Sequence, residues 1–421
     1  MSKKSILLFL FVFVNYYNPI SVYLTLIINM VLFFLISFNN GSSTIRFNRY
    51  IIVFTFLIFI WAMFIMLVRS NIDTQVLGKY FRVTTSTLLI MAVCNALHIT
   101  AKQLIDVLTI IFLMHIISIG MQSVFPQLDI PMALFFGFGR ESTIISEYTT
   151  RKMGCSSSYD TAALISVVSM VFFSRQYVVR NKSIYLLFMF LSFLASTRSS
   201  RTGMVLGIFF FVVLFIVLFF KSKGKKRLIP ILCLLCGITF SVYVTFPILV
   251  HSTGLFLLEA EYNNSVISTN DYTTGTVSAL TSTHLEAMEV PIFDLIIGFG
   301  IDPNTMSDKS TDIGYVKLIY HVGIIGLLLI LLLYLYILRQ GIITKKKSEE
   351  QSNEFMLSSF LILYILLIVV MNYKSLEMYS RGSHDLLLII FFVLTNKYTT
   401  AVSYNGLENS NKRVHLTSNY R

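Results

Sequence analysis

Residues 183–220 read SIYLLFMFLSFLASTRSSRTGMVLGIFFFVVLFIVLFF, two uncharged apolar runs separated by the polar break ASTRSSRTG at Ala195–Gly203. The first run ends at Thr197 and covers about 22 Å at ~1.5 Å per helical residue, less than the ~30 Å hydrocarbon core of a membrane. We therefore expect Arg198 to lie at or below the membrane surface. A guanidinium there is costly unless it faces a wet cavity or binds an anion, so Arg198 and Arg201 are candidate functional residues. The alternative is a pair of arginines that snorkel from a helix end.

The composition of the whole chain agrees with a membrane protein. Hydrophobic residues make up 55% of the sequence and charged residues only 13%, which excludes an ordinary soluble domain. We predict one integral membrane domain over residues 1–421. The predicted helices lie at 5–18, 20–38, 49–68, 83–99, 104–124, 159–178, 183–197, 203–220, 228–250, 313–338, 355–372 and 377–396.

The distribution of basic residues sets the predicted orientation, because cytoplasmic loops collect Lys and Arg. With twelve helices and a cytoplasmic N-terminus, cytoplasmic segments hold about two thirds of the 33 basic residues. Merging the first two helices, which NYYNP at Asn15–Pro19 separates only weakly, would put Lys3 and Lys4 outside. The C-terminal tail 397–421 is then cytoplasmic. The net charge of +12 is spread over short turns, so contact with anionic lipid explains it better than a nucleic-acid partner does.

Two long segments, 125–158 and 251–312, are predicted to be external loops, and long loops often carry function. The first contains Arg151 and the apolar piece Ile130–Gly139, which is suited to the membrane interface; a solvated linker is the alternative. The second passes through His284 and Glu286 into a piece predicted to form a short helix on the membrane. Asp312, Tyr315, Lys317 and His321 are then predicted at the outer end of the tenth helix. The spacing i, i+3 would place Asp312 and Tyr315 on one face.

The last predicted helix is also polar at its outer end. Only Leu386–Leu394 is continuously apolar, so a span that ends near Asn396 must begin around Glu377. In such a helix Arg381, His384 and Asp385 would share one face. They would form either a self-neutralised structural pair or one wall of a polar cavity.

These features together resemble the Wzy-type repeat-unit polymerases of O-antigen and capsule synthesis, which share a superfamily with O-antigen ligases. The resemblance rests on the arginine step at Thr197–Gly203, the glycine turn Gly298–Gly300, and Asp312-x-x-Tyr315 leading into GIIG at Gly323–Gly326. It covers most of the chain. Ligases of the superfamily tend to carry a histidine at the position of Asp312, and related chains often carry an arginine near the position of His284.

The resemblance implies a GT-C-like membrane fold, with about twelve transmembrane helices and a large external loop between helices 9 and 10. It also implies a glycosyltransferase in a bacterial inner membrane that joins undecaprenyl-diphosphate-linked oligosaccharide repeat units on the outer face. Neither cofactor nor metal is expected, because the lipid diphosphate is already an activated leaving group. A separate chain-length co-polymerase in the membrane is an implied partner.

Roles for individual residues follow from that chemistry. A departing diphosphate needs cationic donors, for which we predict Arg198, Arg201 and Arg381. Arg151, Tyr315 and His384 are predicted substrate contacts. The acceptor hydroxyl needs a base, and the candidates are Asp312, ranked first, with Glu286, His284 and His384.

Three other functions remain open on the sequence alone: an O-antigen ligase, a flippase, and a sensor or assembly protein without catalysis. An O-antigen ligase shares the whole architecture but transfers finished glycan to lipid A-core. A lipid-linked oligosaccharide flippase would need a central path, and helices interrupted at mid-membrane would favour it. The sequence shows polarity at outer helix ends, which favours external chemistry.

Overall fold

The computed structural model describes residues 3–17, 22–40, 48–69, 73–136, 152–156, 158–221, 291–303, 313–380 and 382–395. These residues form helices and connecting turns, with no β-strand among them. Six of the described helices are long and apolar enough to cross a membrane, and five shorter apolar helices accompany them. The chain is therefore an all-α, membrane-embedded protein, as its composition predicts.

The described helices are numbered here in chain order. They are α1 (Lys3–Tyr17), α2 (Val22–Asn40), α3 (Arg49–Arg69), α4 (Thr74–Leu97), α5 (Ala101–Val124), α6 (Asp129–Phe135), α7 (Tyr159–Arg180), α8 (Ile184–Ser199), α9 (Arg201–Lys221), α10 (Ile292–Ile297), α11 (Gly314–Lys347), α12 (Asn353–Met371) and α13 (Ser383–Thr395). Every predicted span except 228–250 overlaps one of them, and 228–250 lies outside the described residues.

Helix α7 is the inner helix of the bundle, with a buried surface that is nearly continuous from Ala162 to Tyr177. It packs against α5, α8, α9 and α12. Its serines are compatible with burial because their hydroxyls bond to carbonyls of the same helix, as Ser166 does with Ala162 and Ser169 with Ile165. Helix α3 lies at the periphery and exposes large apolar side chains, which suit a lipid surface.

Contacts between distant parts of the chain fall at two opposite ends of the bundle. We call the end that carries Arg198 and Glu377 the break end. There Lys152 bonds to the end of α8, and Thr161 at the start of α7 bonds to Glu377 beyond α12. At the opposite end Lys4 bonds to the carbonyl of His98, Asn48 to Tyr336, and Arg180 to Asp106. The break end collects the segments predicted to be external, and the opposite end those predicted to be cytoplasmic.

Two helix starts differ from the sequence prediction by six residues or more, and both changes alter the candidate site. Helix α4 begins at Thr74 rather than 83, because the Asp73 carboxylate accepts the amides of Gln75 and Val76 as an N-cap. Lys79 and Arg82 are thus helical residues and not loop residues. Helix α13 begins at Ser383 rather than 377, so residues 372–380 form a non-helical connection.

Candidate functional site

The polar break between α8 and α9 is held tightly against α7. The Ser200 hydroxyl accepts the amide of Gly203 at 3.0 Å and so caps α9. A Cβ at Gly203 would overlap Ala163 of α7, and one at Gly207 would overlap the Ser196 hydroxyl. The glycines therefore allow α8, α9 and the first turn of α7 to meet at backbone distance.

The two arginines of the break follow this geometry. Arg198 lies half-buried in the last turn of α8, and its carbonyl accepts the amide of Lys152 at 2.9 Å. The Lys152 ammonium is buried and bonds to the Asp129 carboxylate at 2.6 Å, which ties α6 to the break. Arg201 is the first residue of α9, with its side chain outside the described part. The chain that leads into Lys152 carries Arg151, which also lies outside the described residues.

Glu377 joins three parts of the chain at the break end. One of its carboxylate oxygens accepts the hydroxyls of Thr161 and Ser375, both at 3.2 Å, and the other accepts the Ser383 hydroxyl at 2.7 Å. Its amide donates to the Asn372 side chain at 3.0 Å. Burial raises the pKa of Glu377 above its ordinary value of 4.5, although the three hydroxyl bonds act in the opposite direction. The sequence analysis used Glu377 only as the start of a helix and missed this role.

A buried aromatic and histidine group continues from Glu377 toward α4. The Tyr334 hydroxyl lies 3.3 Å from Nδ1 of His384 and accepts the amide of Tyr379 at 3.2 Å. The Tyr379 ring lies 5.6 Å from the ring of Tyr80, and the Tyr80 ring stands nearly perpendicular to that of His321 at 6.2 Å. His384, one of the predicted base candidates, is thus fully buried and enclosed by tyrosines.

The glycine turn Gly298–Gly300 docks on a break inside α11. Gly323 has φ 64° and ψ −178°, a conformation that is essentially restricted to glycine, and it interrupts the helix. The carbonyl of Tyr320 accepts the amides of Phe299 at 2.8 Å and Gly300 at 3.0 Å instead of one from the next helical turn. The carbonyl of Val322 accepts the indole N–H of Trp61 at 2.8 Å. The two glycine motifs noted in the sequence therefore form one structural unit.

Charged residues surround that unit. Arg69 at the end of α3 pairs with Asp294, donates to the carbonyl of Gly298 at 3.1 Å and lies 5.5 Å from the Phe299 ring. Asp302 follows the turn, and its carboxylate lies 3.7 Å from Nε2 of the buried His321. The docked segment consequently places two carboxylates beside an arginine of α3 and a histidine of α11 at the break end.

Helix α4 adds two cations that the sequence analysis had assigned to a loop. Lys79 and Arg82 are spaced i, i+3 and so share a face of the helix. The Lys79 nitrogen is buried and has no hydrogen-bond partner among the described residues. Asp385 of α13 attracts Arg82 and accepts the Ser86 hydroxyl at 3.0 Å. The signal that could have identified them is the N-cap residue Asp73, which extends the helix over both.

The structure brings together only part of the predicted site. Asp312, His284, Glu286 and Arg381 lie outside the described residues. The sequence analysis placed Asp312 in the same helix as Tyr315, and Arg381 in the same helix as His384. In the structure α11 begins at Gly314 and α13 begins at Ser383, so these helical spacings do not apply.

Tyr315 was predicted to contact substrate. Its hydroxyl donates to the carbonyl of Val369 in α12 at 2.7 Å, so it joins two helices. A substrate contact by Tyr315 would therefore use its ring or the remaining acceptor capacity of its hydroxyl.

Comparison with known proteins does not place the chain in a family. No protein-family model matches the sequence, and no curated protein matches it either.

Proposed function

We propose that this protein is a polysaccharide polymerase that joins undecaprenyl-diphosphate-linked oligosaccharide repeat units into O-antigen or capsular polysaccharide. The proposed location is a bacterial inner membrane, with about twelve crossings, both termini in the cytoplasm and the reaction on the outer face. The observation that carries the proposal is the convergence of polar elements at one end of an apolar bundle. The arginine break, the Glu377 connection and the docked glycine turn are far apart in sequence, yet all lie at the break end.

Such a site fits glycosyl transfer from a lipid diphosphate. The acceptor hydroxyl attacks the anomeric carbon of the donor sugar, the bond from that carbon to the diphosphate breaks, and the diphosphate leaves with the electron pair. The hydroxyl proton passes to a carboxylate or histidine base, for which Asp312 remains our first choice. Arg198, Arg201 and Arg381 would stabilise the charge that develops on the leaving group, at ~3 to 4 kcal/mol for a well-aimed donor.

Transport of a lipid-linked oligosaccharide is the second candidate, and one observation favours it. The break in α11 at Gly323 lies nine residues after the helix start at Gly314, about 13 Å along the axis at ~1.5 Å per residue. Interrupted helices at that depth occur in transporters. The buried Lys79 nitrogen and the half-buried Arg82 also place charge below the helix ends. An O-antigen ligase stays the nearest enzymatic alternative.

Deletion of the gene in its native host separates these functions. We expect the surface polysaccharide, resolved on a gel, to collapse to a single repeat unit on its normal acceptor, because ligation and export continue without a polymerase. Long polymer that accumulates on the lipid carrier would instead identify a ligase. Failure of lipid-linked units to reach the outer face would identify a flippase, and either result would refute the polymerase.

Complementation of that deletion tests the residues. Arg201→Ala should abolish long chains, since loss of a well-placed donor lowers the rate by ~10² to 10³-fold. Arg339→Ala, at the opposite end of α11, is the matched control and should restore them. Asp312→Asn with unchanged polymer yield would exclude Asp312 as the base. Immunodetection of each variant in the membrane fraction checks that insertion persists.

A further inference from the structure

The Lys79 ammonium is buried and has no hydrogen-bonded counter-ion among the described residues, although its nitrogen lies 6.0 Å from the centre of the Tyr80 ring. Its nitrogen has almost no solvent exposure and donates no hydrogen bond to any of them. A buried ammonium without a partner is strongly destabilising in a protein interior. A residue of this kind is retained where the missing partner is supplied by something that binds.

The neighbours of Lys79 increase the positive charge. Lys317 of α11 and Arg82 both repel it, and Asp302 is the carboxylate that attracts it. Arg82 has its own counter-ion in Asp385. Asp302 is thus the described carboxylate that attracts Lys79, whereas two described cations repel it, and the described charges around Lys79 keep a positive excess.

His321 lies at the same place and also lacks hydrogen bonds. Both of its ring nitrogens are buried without a hydrogen-bond partner among the described residues, and its closest carboxylate is Asp302 at 3.7 Å. Lys79 and Lys317 both act on it electrostatically. A histidine with two open nitrogens can donate to an anion and can also accept a proton from one.

Asp73, the other described acid near this group, already accepts hydrogen bonds with both carboxylate oxygens. One oxygen of the Asp73 carboxylate caps α4 by accepting the amides of Gln75 and Val76. The other accepts the amide of Asp302 at 3.3 Å. Asp73 thus stabilises the helix start and the docked turn, and it does not bond to the Lys79 nitrogen.

We infer that Lys79, Lys317 and His321 form a binding site for a phosphoryl anion, either a phosphate or a diphosphate group. Two ammonium groups and an imidazole suit the multiple charge of such a group, which Lys binds as a point charge. This site is separate from the arginine break, because it lies between α4 and α11 rather than between α8 and α9. The choice of a phosphoryl group over other anions rests on the proposed function. The excess positive charge of the site is independent of that proposal.

The single tryptophan of the chain reports on this site. Trp61 donates to the carbonyl of Val322, the residue after His321, so an anion at His321 should change its environment. We would titrate the purified full-length protein with inorganic diphosphate and record Trp61 fluorescence. A saturable change is expected, and Lys79→Met should weaken the apparent affinity at least about tenfold, because a charge-assisted hydrogen bond is lost. Lys79→Arg should retain most of the affinity.

Lys182→Met serves as the matched control, because Lys182 is exposed at the opposite end of the bundle. Thermal unfolding of the unliganded variants separates binding from folding. Removal of an unbalanced charge should leave the Tm of Lys79→Met unchanged or raise it. A lower Tm would show that another part of the chain already pairs with Lys79 and would overturn the site, as would equal diphosphate affinities for Lys79→Met and wild type.

Two titrations, one with a lipid diphosphate and one with inorganic diphosphate, identify the source of the anion. The same titration is repeated in phosphatidylcholine nanodiscs with undecaprenyl diphosphate as the ligand. Displacement of the lipid by inorganic diphosphate would assign the site to a lipid headgroup, whereas a response to inorganic diphosphate alone would assign it to the free anion. If the purified protein binds diphosphate but the deletion strain still makes normal polymer, the site stands and the polymerase is refuted. If the protein does not bind diphosphate but the deletion strain makes only single repeat units, the polymerase stands and the site is refuted.

Discussion

The carboxylate of Glu377 connects three segments of the chain at the break end. It lies in the connection between α12 and α13 and accepts hydroxyls from Thr161, Ser375 and Ser383. Because hydroxyls satisfy an ionised carboxylate only in part, burial still raises its pKa. Glu377 thus holds the start of α7, which packs on the arginine break, to the connection that leads to Arg381.

The raised pKa of Glu377 predicts a pH dependence of stability. Between the ordinary value of 4.5 and the raised folded value, the folded protein retains a proton that the unfolded chain has lost. The free energy of unfolding therefore falls as pH rises through that interval. We expect the Tm of the wild type to decline from pH 4.5 upward and the permanently neutral Glu377→Gln to lack that decline. Glu350→Gln, at an exposed position, is the control, and parallel Tm profiles for Glu377→Gln and wild type would contradict the prediction.

At the scale of elements, the glycine turn and the broken helix depend on each other. Gly323 interrupts α11. The carbonyl of Tyr320 accepts amides of the glycine turn, and the carbonyl of Val322 accepts the indole N–H of Trp61. Buried carbonyls without partners are costly, so the break is stable only while these donors are in place. Since Lys317 and His321 lie on the short segment before the break, docking of the turn also positions them.

Gly323→Ala tests this dependence. A Cβ at Gly323 would overlap the carbonyl of Ile296, and an alanine disfavours the positive φ of that position. We expect a loss of ~2 kcal/mol or more in the free energy of unfolding, seen as a lower Tm. The control is Gly120→Ala in α5, where a Cβ meets no atom within 4 Å and Tm should not fall. A Tm of Gly323→Ala equal to that of the wild type would mean that α11 is continuous at this position.

The sequence predicts the helices better than the site, for physical reasons. Apolar runs and the break at Ala195–Gly203 are local signals, and the structure has α8 and α9 on either side of that break. The predicted helix 83–99 leaves out Lys79 and Arg82, whereas the N-cap at Asp73 extends α4 over both. The break at Gly323 is invisible locally, since its stability depends on donors from α3 and from the glycine turn.

At the scale of the whole molecule, charge and contacts divide the bundle into two ends with different chemistry. The opposite end has short connections, such as Asn181–Ser183 between α7 and α8, and contacts such as Arg180 with Asp106. The break end has buried charges, a docked turn and longer connections. An asymmetry of this kind is expected when only one membrane face carries the reaction, and the count of basic residues predicts that this is the external face.

Labelling of single cysteines tests that orientation directly. Tyr373→Cys places a thiol at an exposed position of the break end, and Lys182→Cys places one at an exposed position of the opposite end. A membrane-impermeant thiol reagent applied to intact cells should modify Tyr373→Cys and reach Lys182→Cys only after permeabilisation. The native Cys155 contributes little background, since burial raises its pKa to about 11 and keeps it protonated. Labelling of Lys182→Cys alone in intact cells would invert the topology and move the break end, with every proposed catalytic group, to the cytoplasm.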